Sequence, residues 1–124
     1  MERDALAPLV ADWIRYHAER RKGTDPLFEA WEKVTDIVMS DPEEGWTVVL
    51  ALVDASPDDW VLCNVAAGPL EDLLRKFSDV LVDRAEVQAR RDPKFRRCLT
   101  GVWGLPPPVQ ARLRKYTSTI KDPL

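Results

Sequence analysis

Three pairs of neighbouring acids are the side chains of this chain that come nearest to a catalytic arrangement. They are Glu43-Glu44, Asp58-Asp59 and Glu71-Asp72. Acid–base catalysis would need two carboxyl groups that face each other across a substrate, one donating a proton and the other accepting one. Neighbouring residues on a helix point about 100° apart, so the two members of each pair diverge. The pairs therefore do not indicate an acid–base catalyst.

Residues that could act as nucleophiles or metal ligands are few. His17 is the only histidine, and it falls on the apolar face of the first predicted helix. Cys63 and Cys98 are isolated within apolar helical patterns, where free cysteines pack as small hydrophobes. A zinc site would need more such ligands, and the Gly-rich phosphate loop, G-x-S-x-G and H-E-x-x-H motifs are missing. We expect no catalytic residue, no cofactor, no metal and no enzyme activity.

The composition is that of one globular domain. Hydrophobic residues make up 45% and charged residues 31% of the 124 residues, and the five tryptophans are expected mostly to anchor the core. Two cysteines are too few for a disulfide framework. The N-terminal M-E-R-D-A-L-A-P-L-V lacks the apolar run of a signal peptide, and no apolar stretch reaches membrane-spanning length. We expect a reduced, cytoplasmic protein without membrane contact; its oligomeric state stays open.

Charge is divided unevenly along the chain. Val34–Leu74 holds nine acids and no Lys or Arg, whereas Arg75–Lys115 holds eleven basic residues and four acids, a net charge of +7. Acids are favoured at helix N-termini, which alone can explain many of the nine. A contiguous acidic edge would in addition attract a basic partner and speed its capture.

The hypothesis of a docking edge rests on acids at the starts of the third and fourth predicted helices, with two tryptophans as anchors. The predicted partner-binding residues are Asp41, Glu43, Glu44, Asp54, Asp58, Asp59, Trp46 and Trp60. Proteins that act on nucleic acid are basic, so an inhibitor of such a protein could occupy the surface meant for phosphates. The alternative is that the acids only cap helices and that both tryptophans are core residues.

The basic Arg90–Arg97 region also has two interpretations. It could bind nucleic acid through phosphate contacts, but the acidic total and the lack of aromatic residues among the basic ones argue against this. We expect pairing within the molecule instead, with Glu71 or Asp72 turned toward the Arg84–Arg97 region to lock the two halves together. The predicted structural ion pairs involve Glu71, Asp72, Arg84, Arg90 and Arg91.

The helices that must position these residues begin at a recurring signal. Asp25-Pro26, Asp41-Pro42, Ser56-Pro57 and Asp92-Pro93 each place a capping oxygen before a proline that suits the first helical position. Gly68-Pro69 predicts the end of one helix and the start of the next, so that the acids of A-A-G-P-L-E-D-L-L would face the positive end of a dipole. Ser78 predicts a further start.

These signals predict an all-α fold. Apolar residues recur at helical spacing, and the third helix, with W-T-V-V-L-A-L-V, is apolar nearly all round and so should be central. We expect a single domain at residues 1–116, built of seven to eight short helices packed as stacked helical hairpins. A bundle and a HEAT-like stack are both compatible with this pattern. Residues 117–124 are predicted to be a frayed C-terminal tail.

Four stretches together resemble an uncharacterised family of small bacterial all-helical domains. They are W-E-K-V-T-D-I-V at 31–38, D-P-E-E-G-W at 41–46, A-A-G-P-L-E-D-L-L at 66–74 and A-R-R-D-P-K-F-R-R-C-L-T-G-V-W at 89–103. The resemblance implies an all-α fold and bacterial origin, and brings no activity or catalytic residue. At Lys76-Phe77-Ser78 the sequence departs from the turn usual in that family. By analogy, small acidic helical bacterial proteins are often immunity proteins that neutralise a toxin.

We therefore expect a non-enzymatic protein-binding module, in its most specific form an immunity or inhibitor protein whose acidic helix edge docks on a basic toxin. The alternatives are a structural or adaptor domain without a toxin partner, and a nucleic-acid-binding protein that uses the Arg90–Arg97 region.

Overall fold

The computed structural model describes residues 2–23 and 25–124, and these residues form helices joined by turns. The helices are α1 (Arg3–Ala18), α2 (Phe28–Ser40), α3 (Pro42–Ala55), α4 (Asp59–Val65), a π-helical segment (Ala66–Leu70), α5 (Glu71–Arg91), α6 (Pro93–Leu99) and α7 (Pro107–Thr117). The all-α prediction is confirmed. Because α4, the π-helical segment and α5 follow one another without a break, the described residues form six separate helical stretches, fewer than the seven or eight expected.

Two of the four predicted starts form as expected. The Asp41 carboxylate accepts hydrogen bonds from the backbone N–H groups of Glu43 at 2.9 Å and Glu44 at 3.2 Å. Asp92 does the same for Lys94 at 3.0 Å and Phe95 at 3.1 Å. In both cases proline takes the first helical position, so the side chain satisfies N–H groups that have no partner within the helix.

The other two starts differ from the prediction. Ser56 is buried and its hydroxyl donates back to the carbonyl of Leu52 at 2.7 Å, so it ends α3 rather than capping α4. The cap of α4 is Asp58, whose carboxylate accepts from the N–H of Val61 at 3.0 Å. The carboxylate of Asp25 does bind the N–H of Leu27, but a turn follows and α2 begins at Phe28.

The predicted helix joint at Gly68-Pro69 is wrong, because the chain stays helical through it. A regular α-helix cannot accommodate an internal proline without losing a hydrogen bond and meeting a steric clash. Here Pro69 lies inside the wider π-helical segment. The start predicted at Ser78 lies close to a real interruption: Phe77 has non-helical angles, with φ of −121° and ψ of 31°, so α5 consists of two helical parts joined at a kink.

The core is centred on α3, as predicted, and this helix packs against α1, α2, α4, α5 and α6. Val48, Val49 and Leu52 of α3 are completely buried. The expectation for the tryptophans is largely wrong. Trp13 is buried and Trp46 packs against the core while partly exposed. The remaining three are exposed, namely Trp31, Trp60 and Trp103.

Both cysteines are free thiols. Cys98 is buried in the core, and burial raises the pKa of its thiol to about 12. That environment makes Cys98 an inert packing residue, because the reactive form of cysteine is the thiolate. Among the described helices, none combines the length and the apolar character needed to cross a membrane.

The C-terminal residues, for which the sequence predicts a frayed tail, lie against the end of α6. The backbone N–H of Leu124 donates to the hydroxyl of Thr100 at 2.9 Å, and the Leu124 side chain packs on the core. Arg97 donates to the carbonyl of Asp122 at 2.9 Å.

Candidate protein-binding surface

The six predicted docking acids fall into two groups at opposite ends of α3. Asp41, Glu43 and Glu44 surround its N-terminus, whereas Asp54, Asp58 and Asp59 lie at or just beyond its C-terminus. Asp54 comes eleven positions after Glu43, which corresponds to about 16 Å of helix. These acids therefore do not make one compact patch.

Two of the six acids are held by arginines of the basic segment. Arg84 binds Glu43 through two hydrogen bonds of 2.6 and 2.7 Å, and Arg97 binds Asp59 through two of 2.5 and 2.9 Å. These hydrogen bonds lower the pKa of both carboxyl groups. Asp41 and Asp58 are occupied as helix caps. Much of the acidic charge seen in the sequence is thus used inside the molecule.

The two predicted anchors differ in exposure. Trp46 meets Phe95 edge to face at 5.6 Å between ring centroids, so it belongs to the core. Trp60 is 44% exposed; its indole N–H donates to the carbonyl of His17 at 2.8 Å, and the guanidinium of Arg20 lies 4.2 Å from its ring centroid. Burial lowers the pKa of His17, which packs against Trp13 and Tyr16 as a rim residue.

The predicted ion pairs of the A-A-G-P-L-E-D-L-L stretch do not form. Glu71 instead accepts a hydrogen bond from the backbone N–H of Trp103 at 2.8 Å and lies 3.9 Å from Arg75. Arg84 is bound to Glu43, and the exposed Arg91 donates to Gln88. Within the described residues, neither Glu71 nor Asp72 forms an ion pair with Arg84, Arg90 or Arg91.

Asp72 is an acid in an unfavourable position. Burial and the charge of Glu71 raise the pKa of its carboxyl group above the usual range. A raised folded-state pKa means that the folded chain binds this proton more tightly, so stability falls as the pH rises through that range.

We expect Asp72→Asn to be more stable than the parent at neutral pH, with the difference vanishing below about pH 3.9. Urea denaturation across this pH range measures it, with the exposed Asp79→Asn as control. Equal or lower stability of Asp72→Asn at neutral pH would contradict the expectation.

A groove between α1 and α2, which the sequence interpretation missed, has an apolar floor and a charged rim. Its volume is about 500 Å³. The floor is formed chiefly by Ala5, Pro8, Leu9, Leu27 and Ile37, and the rim by Asp12, Glu29, Lys33 and Asp36. Asp4 does not line the groove itself, but it precedes Pro8 by four residues and Asp12 by eight, so it lies on the same face of α1 and adds a further acid beside the rim.

The acids of this rim are not bound by other side chains within the described residues. In residues 2–23 and 25–124, no ion pair or side-chain hydrogen bond involves the carboxylates of Asp4, Asp12, Glu29 or Asp36. The sequence does contain the signal, since the four acids recur at helical spacing in two helices. The sequence does not show that α1 packs beside α2. That packing makes the solvated faces of the two helices the two sides of one groove.

No group of three or more His, Cys, Asp or Glu side chains that could hold a metal ion occurs in the part of the chain that the structure describes.

Comparison with known proteins gives one match. Residues 17–120 match the model of a family described as a family of unknown function (DUF6869). This range begins inside α1 and covers α2 to α7. No curated protein and no solved structure matches the chain.

Proposed function

We propose that this chain, which belongs to the family of unknown function DUF6869, is a non-enzymatic protein-binding module. The α1–α2 groove holds an amphipathic, basic helix of a partner protein. The observation that carries this proposal is the set of four uncompensated carboxylates beside an apolar floor.

The groove supports a helix as the occupant for two reasons. An apolar trough between two helices receives the apolar face of a third, as in helix-in-groove recognition. The floor residues supply the hydrophobic contribution, at roughly 25 cal/mol for each Å² of apolar surface that leaves water. The groove therefore offers affinity through its floor and leaves selectivity to its rim.

The rim favours a basic occupant. Asp4, Asp12, Glu29 and Asp36 outnumber Lys33, which gives the groove a net charge of −3. Exposed charges of this kind act mainly on the rate of association and on the choice of partner. Lysines or arginines that flank the apolar face of the bound helix would meet this rim and remain partly hydrated.

The most specific form of the proposal is a bacterial immunity or inhibitor protein that neutralises a basic toxin in the cytoplasm. Its support is the charge of the groove, since a toxin that acts on nucleic acid carries a basic surface. The test is stoichiometric inhibition of a purified toxin-like protein encoded beside this gene. A structural or adaptor domain shares the groove but would leave such a toxin active.

A charge-reversal experiment tests the docking groove itself. The probe is a fluorescein-labelled peptide of about five helical turns, with leucines along one face and lysines elsewhere. We expect Asp12→Lys combined with Glu29→Lys to weaken binding about tenfold, because two attractive contacts become repulsive. Binding by the parent should also weaken as salt rises. Fluorescence anisotropy measures both effects.

The matched control is Asp54→Lys combined with Asp79→Lys. It changes the net charge by the same amount at two exposed acids outside the groove, one of them a member of the predicted docking edge. The control should bind the peptide nearly as the parent does. If both double variants lose the same affinity, the effect is one of overall charge and the groove is not the binding site.

A further inference from the structure

Trp103 is presented to solvent in a fixed position. It is 73% exposed, the highest value among the exposed large hydrophobic residues. Its backbone N–H is anchored by Glu71 at 2.8 Å, and Gly104 follows with a φ of +75°, a conformation that favours glycine. Leu105 is then buried. The backbone on both sides of Trp103 is therefore held while its indole points away from the core.

The exposed indole borders a cleft between the end of α6 and one face of α7. This cleft has a volume of about 670 Å³, and its polar lining includes Thr100, Gln110 and Arg114. A second cleft of about 590 Å³ lies on the other side of the C-terminal half of α7 and is lined in part by Arg96, Lys115 and Lys121. Trp103 and Arg114 thus line one cleft, and Arg96, Lys115 and Lys121 line the neighbouring cleft around α7.

Four cations around α7 form no ion pair within the described residues, whereas Arg112 is held by Asp83 and Glu86. Within the described residues Arg114, Lys115 and Lys121 form no ion pair, and Arg96 donates only to the backbone carbonyls of Ala89 and Arg90. The carboxylate of Asp122, at the edge of the second cleft, lies 3.6 Å from Arg97. Two acids lie near this surface: Glu71 is bound to the backbone N–H of Trp103, and Glu86, which is held by Arg112, also interacts with Lys115. At 0.1 M salt, more distant charges are screened beyond about 10 Å.

We propose that this end of the molecule binds single-stranded nucleic acid. One base stacks on the indole of Trp103, and the neighbouring phosphates lie along Arg96, Arg114, Lys115 and Lys121. Aromatic stacking beside a basic groove is how proteins hold single strands without reading their sequence. A paired base cannot offer its face to a protruding indole, so duplexes bind less well. The exposed Trp103 supplies the aromatic residue whose absence argued against nucleic acid in the sequence.

Fluorescence anisotropy with labelled oligonucleotides of about ten residues tests the proposal. The probes are oligothymidylate, oligouridylate and a duplex of the same length, at about 50 mM salt. We expect both single strands to bind better than the duplex, and their ratio distinguishes DNA from RNA as the preferred form. Trp103→Ala should weaken binding about tenfold, whereas Trp103→Phe should retain most of it, since stacking needs only an aromatic face.

The contribution of the basic residues to oligonucleotide binding is measured by the salt dependence of the affinity. Lys115→Gln combined with Lys121→Gln should reduce the dependence of log affinity on log salt by about 0.7 for each phosphate that the variant no longer neutralises. Trp31→Ala is the matched control, because Trp31 is also exposed but lies on α2 and stacks on Phe28. The proposal is overturned if neither single strand binds, if the duplex binds as well, or if Trp103→Ala behaves like Trp31→Ala. Binding of labelled decaglutamate as tightly as the oligonucleotides, and equally by the parent and by Trp103→Ala, would show an acidic protein site instead.

Discussion

Replacing Phe95 with alanine is expected to lower the free energy of unfolding by about 3–5 kcal/mol, which is a large part of the 5–15 kcal/mol typical of a domain. Phe95 is completely buried in α6 and meets Trp46 of α3 edge to face. The substitution removes a large apolar side chain and leaves a cavity between α3, which belongs to the acidic segment, and α6, which belongs to the basic segment. Urea denaturation followed by circular dichroism measures the decrease.

Phe95→Leu is the matched control for this expectation. Leucine keeps most of the apolar volume, so the cost should stay below about 1.5 kcal/mol. A small decrease in Phe95→Ala, similar to that of the leucine variant, would mean that α6 can collapse onto α3 and that the contact with Trp46 contributes little. The slope of the denaturation curve should be unchanged in both variants if only the folded state is affected.

Replacing Gly45 with valine is expected to destabilise the protein by about 1–3 kcal/mol through overpacking. A Cβ atom at this position would lie 2.7 Å from Cδ1 of Leu73 and 3.2 Å from Cα of Val38. Leu73 is completely buried and the Val38 atom belongs to the backbone of α2, so neither neighbour can move freely. Glycine at this position therefore allows α2 and α3 to approach closely. Thermal unfolding by circular dichroism provides the measurement.

Gly68→Ala makes the informative comparison with Gly45. Nothing lies within 4 Å of a Cβ atom at Gly68, and the residue adopts a helical conformation. Alanine there should stabilise the protein by about 0.4–1 kcal/mol, because it restricts the unfolded chain. If Gly68→Ala is instead destabilising, the π-helical segment depends on the flexibility of glycine.

The parts of the fold that follow from local chemistry were predictable from the sequence. A carboxylate one residue before a proline satisfies the free N–H groups of a first turn at Asp41 and Asp92 without help from the rest of the molecule. The apolar stretch of α3 likewise indicated the central helix. Ser56 shows the limit of this reasoning, because its hydroxyl had a choice between two backbone partners and the carboxylate of Asp58 was the stronger acceptor.

The course of the chain at Gly68-Pro69 was not predictable in the same way. A proline in the first turn of a new helix and a proline within a π-helical segment have the same neighbours in sequence. Only the packing of Leu70, Leu73 and Leu74 in the core selects the continuous form. The consequence reaches the acids, because Glu71 and Asp72 then lie within a helix instead of at its positive end.

The candidate binding surfaces show a similar division. The sequence separated an acidic segment from a basic one, but it could not show that Arg84–Glu43 and Arg97–Asp59 join the two across space. Pairing removes Glu43 and Asp59 from the set available to a partner, whereas the groove acids of α1 and α2 are unpaired within the described residues. Exposure of Trp103 depends on a turn stabilised by a residue 32 positions earlier in the chain, which no local pattern contains.

The π-helical segment also determines which small deletions the gene can tolerate. Each π-type hydrogen bond spans one residue more than its α-helical counterpart, so the segment carries a surplus residue relative to a regular helix. Deletion of one codon between Ala66 and Leu70 would restore ordinary helical geometry locally. Because the wider turn takes up that residue locally, its loss would leave Glu71 to Arg91 in nearly the same rotation relative to α4. Leu73, Leu74 and Leu81 would then stay in the core, whereas deletion of one residue within the regular part of α4 would rotate them by about 100°.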